Sequence, residues 1–186
     1  MKTYPHDRFL AKTILPWIPP YILPNHLTIL RLLLTPVVIW LVAGEHYRVG
    51  IPFFLAVAFT DALDGSLART RNCVTDWGKV WDPVADKILI GSVAVILLYR
   101  DFPGELIIPI LGLEAMFLTG GYFWKKRGRI VSANIWGKLK MNCQVAGVTL
   151  YMYSLVYHSP SLAIASYAIL GVAAVLALIS LFTKSA

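Results

Sequence analysis

Apolar residues gather along the chain in six runs, at roughly 25 to 43, 49 to 71, 78 to 99, 105 to 124, 138 to 157 and 161 to 182, separated by short polar or basic junctions. A helix needs about 20 mostly apolar residues to cross a bilayer. The pattern therefore predicts an all-α integral membrane protein, a single membrane domain over residues 1 to 186 with six transmembrane helices. The first 24 residues read differently. Lys2, Arg8 and Lys12 are interspersed with Phe9, Leu10, Ile14, Leu15, Trp17 and Ile18, and Pro16, Pro19 and Pro20 interrupt the run. Without a continuous apolar stretch or a small-residue cleavage site this is no signal peptide. It predicts an amphipathic segment lying in the headgroup region, with Trp17 and Tyr21 at the interface.

Composition narrows the class. Of 186 residues, 58% are hydrophobic and only 15% charged, with a mean hydropathy of +0.66, whereas a soluble domain is about a quarter charged. So few charges cannot cover a compact water-soluble fold with this much apolar mass. Disordered, collagen-like and disulfide-stapled classes are excluded as well. Cys73 and Cys143 have no CxxC spacing, which predicts two free thiols. The net charge of +7 favours anionic headgroups or phosphorylated solutes over nucleic acid.

The basic residues also have a side. Lys2, Arg8 and Lys12 precede the first span, Arg69, Arg71 and Lys79 flank the second junction, and Lys184 lies in the tail. Lys125, Lys126, Arg127, Arg129, Lys138 and Lys140 crowd the fourth junction. Against these thirteen stand Arg48 and Arg100 on the other side, with Arg31 and Lys87 inside helices. Cytoplasmic segments carry the Lys and Arg excess, so both termini are expected in the cytoplasm, on a multi-pass protein of the cell membrane.

Ionisable groups within spans are expensive and point to function. The second span carries Asp61 and Asp64 at i, i+3, and the third carries Asp82 and Asp86 at i, i+4. Each spacing puts a pair on one helix face. Gly65 and Ala68 share the first face, and Gly78 lies one turn before Asp82. Two short-linked antiparallel helices are therefore expected to face each other with four carboxylates near the cytoplasmic end. Such a group repels itself in a low dielectric unless cations neutralise it, and Lys87 and Arg69 cannot balance all four. Hard divalent cations bound through oxygen, two Mg²⁺ or Mn²⁺ ions, are the natural complement. Gly65 and Ala68 leave room for a flat group near the backbone, and Arg69 is placed to clamp a phosphate. Taken singly, either pair has a plainer reading as an ion-pair network beside a small-residue packing seam. Two pairs in phase on successive helices favour a site.

At these residues the sequence resembles the CDP-alcohol phosphatidyltransferase family, whose signature is D-x2-D-G-x2-A-R-x8-G-x3-D-x3-D. Asp61, Asp64, Gly65, Ala68, Arg69, Gly78, Asp82 and Asp86 fill all eight fixed positions. The resemblance implies a six-helix homodimer that moves the phosphatidyl group of CDP-diacylglycerol to a hydroxyl of a small polar acceptor, releasing CMP. It implies that Asp61, Asp64, Asp82 and Asp86 hold two Mg²⁺ or Mn²⁺ ions, with Asp86 also the general base. Gly65, Ala68 and Arg69 are implied as nucleotide and diphosphate contacts, with Gly78 and Thr75 beside them.

Further blocks bear on the acceptor. Asn25 to Arg31 resembles the N-x-L-T-x-x-R entrance of the phosphatidylglycerophosphate synthase branch, and Asp82 to Lys87 matches its D-P-x-A-D-K. Gly137 to Lys140 is similar to its G-K-x-K-T, with Met141 in place of Thr. The resemblance implies sn-glycerol 3-phosphate as acceptor, with Asn25 and Thr28 touching the nucleotide. Arg129, Lys138 and Lys140 are then candidates for the anionic acceptor. Asn25 or Thr28 has a structural alternative as cap of the first helix, and the basic cluster has one as a topology signal. The same chemistry admits phosphatidylglycerol, as in cardiolipin synthases, or an inositol phosphate. A divalent-cation or proton transporter is the alternative from another class, and it predicts acids near the bilayer midplane. Glu114 is expected to be buried against a neighbouring helix, and His46 and His158 to be interfacial rather than ligands.

Overall fold

A computed structural model of the chain describes residues 5–101 and 135–185, and every regular element among them is helical. Helix α1 spans Pro5–Thr13 and is followed by a 3-10 turn at Leu15–Trp17. Five long helices follow: α2 Pro24–Ala43, α3 Tyr47–Thr70, α4 Asp76–Asp101, α5 Ile135–Tyr157 and α6 Pro160–Ser185. They fall on five of the six predicted spans. The span predicted at 105 to 124, together with Glu114, lies outside the described residues.

Three segments are long and apolar enough to cross a membrane, Pro24–Ala43, Tyr47–Thr70 and Pro160–Ser180. Helices α4 and α5 have the length, at 26 and 23 residues, but charged residues crowd their first turns. The protein is membrane-associated. Its exposed apolar side chains fit that environment, with Leu33, Trp40, Val49 and Ile164 turned outward at 60% exposure or more.

The packing order differs from the expected facing of α3 on α4. Helix α2 pairs extensively with both, and α3 touches α4 only sparingly. The reason is electrostatic. Two carboxylate pairs brought directly face to face repel, and α2 inserts Arg31, fully buried, between them. Below this polar layer, Val38 and Val42 of α2, Phe54 and Val57 of α3, Leu89 and Val93 of α4, and Met152 of α5 form one apolar core. Among the described helices, α5 and α6 pair most extensively. Gly147 permits it, since a Cβ there would stand 2.7 Å from Leu170.

Two local devices set the turn between α3 and α4. Asn72 takes a left-handed conformation, φ 51°, and the Cys73 amide donates to the Ala68 carbonyl, a Schellman-type helix stop. Thr75 then starts α4 as its N-cap, its Oγ1 accepting from the Gly78 amide at 3.0 Å. The N-terminal segment rests on this turn. Leu10 and Leu15 form a small buried cluster with Leu67, while Arg71 donates to the carbonyls of Ile18, Pro19 and Ile22 at 2.7 to 3.2 Å. Trp17 and Tyr21 are left 85% and 75% exposed. Cys73 and Cys143 are free thiols.

Candidate active site

The four aspartates gather at one end of the bundle, around a cation from a third helix. Arg31 of α2 donates through Nη1 to Asp86 Oδ1 at 2.5 Å and to Asp61 Oδ1 at 3.4 Å. Its Nη2 is bonded to Asp64 Oδ2, and its Nε donates to Thr60 Oγ1 at 3.1 Å. Thr35 steadies the same turn by donating to the Arg31 carbonyl. Each of the three guanidinium nitrogens is thus hydrogen-bonded, as a fully buried Arg requires. Asp64 and Asp86 are buried with it, whereas Asp61 and Asp82 are half-buried.

Asp82 belongs to a second group. Thr28, fully buried on α2, donates to Asp82 Oδ1 at 2.6 Å. Thr75 Oγ1 donates to Asn25 Oδ1 at 2.8 Å. A Cβ added at Gly78 would stand 3.1 to 3.3 Å from Thr75, Asn25 and Asp82 together. The side chains Asn25, Thr28, Thr75 and Asp82 therefore converge around a glycine that leaves them room, and the structure joins these sequence-distant residues in one place.

The structural alternative, Asn25 or Thr28 as cap of the first span, is not what the structure has, since the N-cap of α2 is Leu23. Helix α2 begins with Pro24, which has no N–H to satisfy, and the Leu23 amide is taken by the His26 ring. Asn25 and Thr28 are left to face α4. The flat group lying over Gly65 is Arg69 itself. Its guanidinium nitrogens sit 3.2 and 3.4 Å from where a Cβ would be. Ala68, half-buried, gives its carbonyl to the turn. Arg69 is not a solitary clamp either, because its Nε and Nη2 donate to both oxygens of Asp7 on α1, at 2.8 and 2.7 Å.

Lys138 and Lys140 lie in the first two turns of α5. The Lys138 side chain and Arg129 lie outside the described residues. His46 caps the start of α3 and packs edge-on against Trp40. It lines, with Arg48, Arg100 and His158, a cavity of about 510 Å³ at the end of the bundle away from the aspartates. Sequence reasoning missed the parts of Arg31 and Asp7. For Arg31 the signal was present, a lone charge inside a span, but its partner could not be assigned from spacing. For Asp7, an acid in a basic amphipathic segment, nothing local marked it.

Residues 21–182 match the CDP-alcohol phosphatidyltransferase family, so the match takes in α2 to α6 and the whole aspartate cluster. The chain belongs to that family. Among similar proteins of the family is the CDP-diacylglycerol–glycerol-3-phosphate 3-phosphatidyltransferase of Rickettsia typhi, 42% identical over 103 residues, covering 53% of this chain and 57% of the relative. Proteins of the same name from Aquifex aeolicus and Bacillus subtilis are 35% and 32% identical, covering 62% and 68% of this chain and 66% and 74% of theirs. The chain thus spans little more than half the length of the Rickettsia relative it matches. All four aspartates lie within the matched residues, three of them bonded to Arg31 and Asp82 to Thr28.

As the side chains stand, no three His, Cys, Asp or Glu residues among those described are arranged to hold a metal ion. Arg31 keeps the carboxylates apart. The chemistry of the donor set still fits hard divalent cations, being oxygen only. Arg31 and Lys87 do not equal four carboxylates in charge, and Arg69 is already turned to Asp7.

Proposed function

We propose that the protein transfers the phosphatidyl group of CDP-diacylglycerol to the hydroxyl of sn-glycerol 3-phosphate, releasing CMP and forming phosphatidylglycerophosphate. The observation that carries this reading is the convergence of Asp61, Asp64, Asp82 and Asp86 from two helices beside Asn25, Thr28 and Thr75. The names of the relatives support the acceptor. The acceptor oxygen attacks the phosphorus that bears the diacylglycerol, and the bond from that phosphorus to the CMP oxygen breaks. Asp86 takes the proton of the attacking hydroxyl. Arg69 contacts the diphosphate, and Asn25, Thr28, Thr75 and Gly78 shape the nucleotide side. Two Mg²⁺ or Mn²⁺ ions held by the four aspartates would neutralise charge on the diphosphate and on departing CMP. Lys138, Lys140 and Arg129 favour an anionic acceptor.

The reading includes six spans, cytoplasmic termini and site, and a homodimer in the cell membrane. It excludes nucleic acid as partner. A transport role is not favoured, since it calls for acids near the bilayer midplane, whereas the aspartates gather at one end of the bundle.

Membranes containing the protein and CDP-diacylglycerol should release CMP when sn-glycerol 3-phosphate is added, and release should stop with a divalent-cation chelator. Release with phosphatidylglycerol or an inositol phosphate, and none with glycerol 3-phosphate, reassigns the acceptor. No release with any of them overturns the proposal.

A further inference from the structure

Helix α1 lies outside the family's signature and contributes a fully buried carboxylate. Asp7 is 0% exposed. Its Oδ1 accepts from Ser66 Oγ at 2.5 Å and from Arg69 Nη2 at 2.7 Å, and its Oδ2 accepts from Arg69 Nε at 2.8 Å. A buried carboxylate is tolerated only when paired and hydrogen-bonded, and the two-point contact with Arg69 fixes a planar group in both position and tilt. Ser66 and Arg69 are i, i+3 on α3, so both reach Asp7 from one face.

The geometry has a direction. Asp7 holds the Nε–Nη2 edge of the guanidinium, and the group stands over Gly65, its nitrogens 3.2 and 3.4 Å from where a Cβ would be. An arginine on the membrane surface otherwise samples many rotamers, and fixing it in advance removes that ordering cost from ligand binding. Helix α1 is only nine residues long, too short to be stable alone. Its seat is the Leu10, Leu15 and Leu67 cluster together with the Asp7 contact.

We propose that Asp7 is a positioning residue for the diphosphate of CDP-diacylglycerol, acting through Arg69 and coupling the seating of the interfacial helix to substrate binding. This rests on the proposed reading of Arg69 as the diphosphate contact. Asp7→Asn keeps the shape but turns an amide N–H toward an Arg69 donor or toward Ser66, so the two-point contact is lost.

The test is the KM for CDP-diacylglycerol and the kcat for CMP release, measured on the full chain in nanodiscs. Asp7→Asn is expected to raise this KM about tenfold, with kcat changed less than about threefold, the pattern of lost binding shared by ground and transition states. Asp7→Glu, which restores the charge, should recover part of the loss. Arg69→Lys should raise KM at least as much, and the double variant Asp7→Asn/Arg69→Lys should be no worse than Arg69→Lys alone. If Asp7→Asn does not accumulate in the membrane, Ser66→Ala carries the test, with an expected rise in KM of about two- to threefold. A lowered melting temperature with an unchanged KM, or additive effects in the double variant, overturns the proposal. Wild-type protein that releases no CMP overturns the proposed function and this inference with it, whereas active wild type with an unaltered variant KM overturns the inference alone.

Discussion

A guanidinium buried among carboxylates is most consequential when it is removed. Arg31→Gln leaves Asp64 and Asp86 buried without their partner, and breaking a buried pair in this way costs about 3–5 kcal/mol. The variant should melt well below wild type in a chelator, and excess Mg²⁺ or Mn²⁺ should recover much of the difference. Thermal unfolding with and without the metal reads both effects, and an unchanged melting temperature in chelator would deny Arg31 its role as counter-ion. Asp86→Asn addresses the chemistry instead. It should leave CDP-diacylglycerol binding largely intact and slow turnover by about 10² or more, the scale of a lost general base. Turnover near wild type would reduce Asp86 to a ligand or a structural partner. At this scale the sequence was legible where residues act through spacing. The i, i+3 and i, i+4 aspartates mark a shared face because helical geometry alone decides it. Arg31 and Asp7 were not legible in the same way, because their partners lie 29 to 62 positions away, and no local periodicity encodes such a distance.

Among the helices, the five long elements were readable from apolar runs because length and hydropathy suffice for that. Their neighbour relations were not. A short link between the second and third spans favoured direct contact, yet α2 lies between α3 and α4 and brings Arg31 to their acids. Starts and stops also mix the readable with the unreadable. Thr75 is a good N-cap by residue type, but Pro24 and His26 displaced Asn25 and Thr28 from the cap of α2. The tight seam of α5 and α6 offers a test at this scale. Gly147→Val drives branched carbon into Leu170, and overpacking of this kind costs about 1–3 kcal/mol. The melting temperature should fall while KM for CDP-diacylglycerol stays near wild type. A variant as stable as wild type would show that the seam has slack.

At the scale of the molecule, two charged groups among the described residues lie at opposite ends. The aspartate cluster, the Asn25 and Thr75 contact and the Arg71 collar on residues 18 to 22 share one end. Glu45, Arg48 and Arg100 occupy the other, where Arg100 bonds Glu45 at 2.6 Å and Tyr47 at 2.9 Å. On the proposed orientation, with the site facing the cytoplasm, Cys73 should resist a membrane-impermeant maleimide in intact cells, and Glu45→Cys in a background lacking both native cysteines should be labelled. The reverse pattern would invert the proposed orientation. Arg31 also matters before any substrate arrives. A nascent helix carrying an arginine, or two aspartates, enters the bilayer reluctantly, at about 2.5–3.5 kcal/mol for each charge near its centre. Arg31 leaves the ribosome one helix ahead of Asp61 and Asp64, so the α2–α3 hairpin reaches the translocon with its opposite charges already able to meet. The pairing that organises the cluster is thus available within the first hairpin, before the acids of α4 are made.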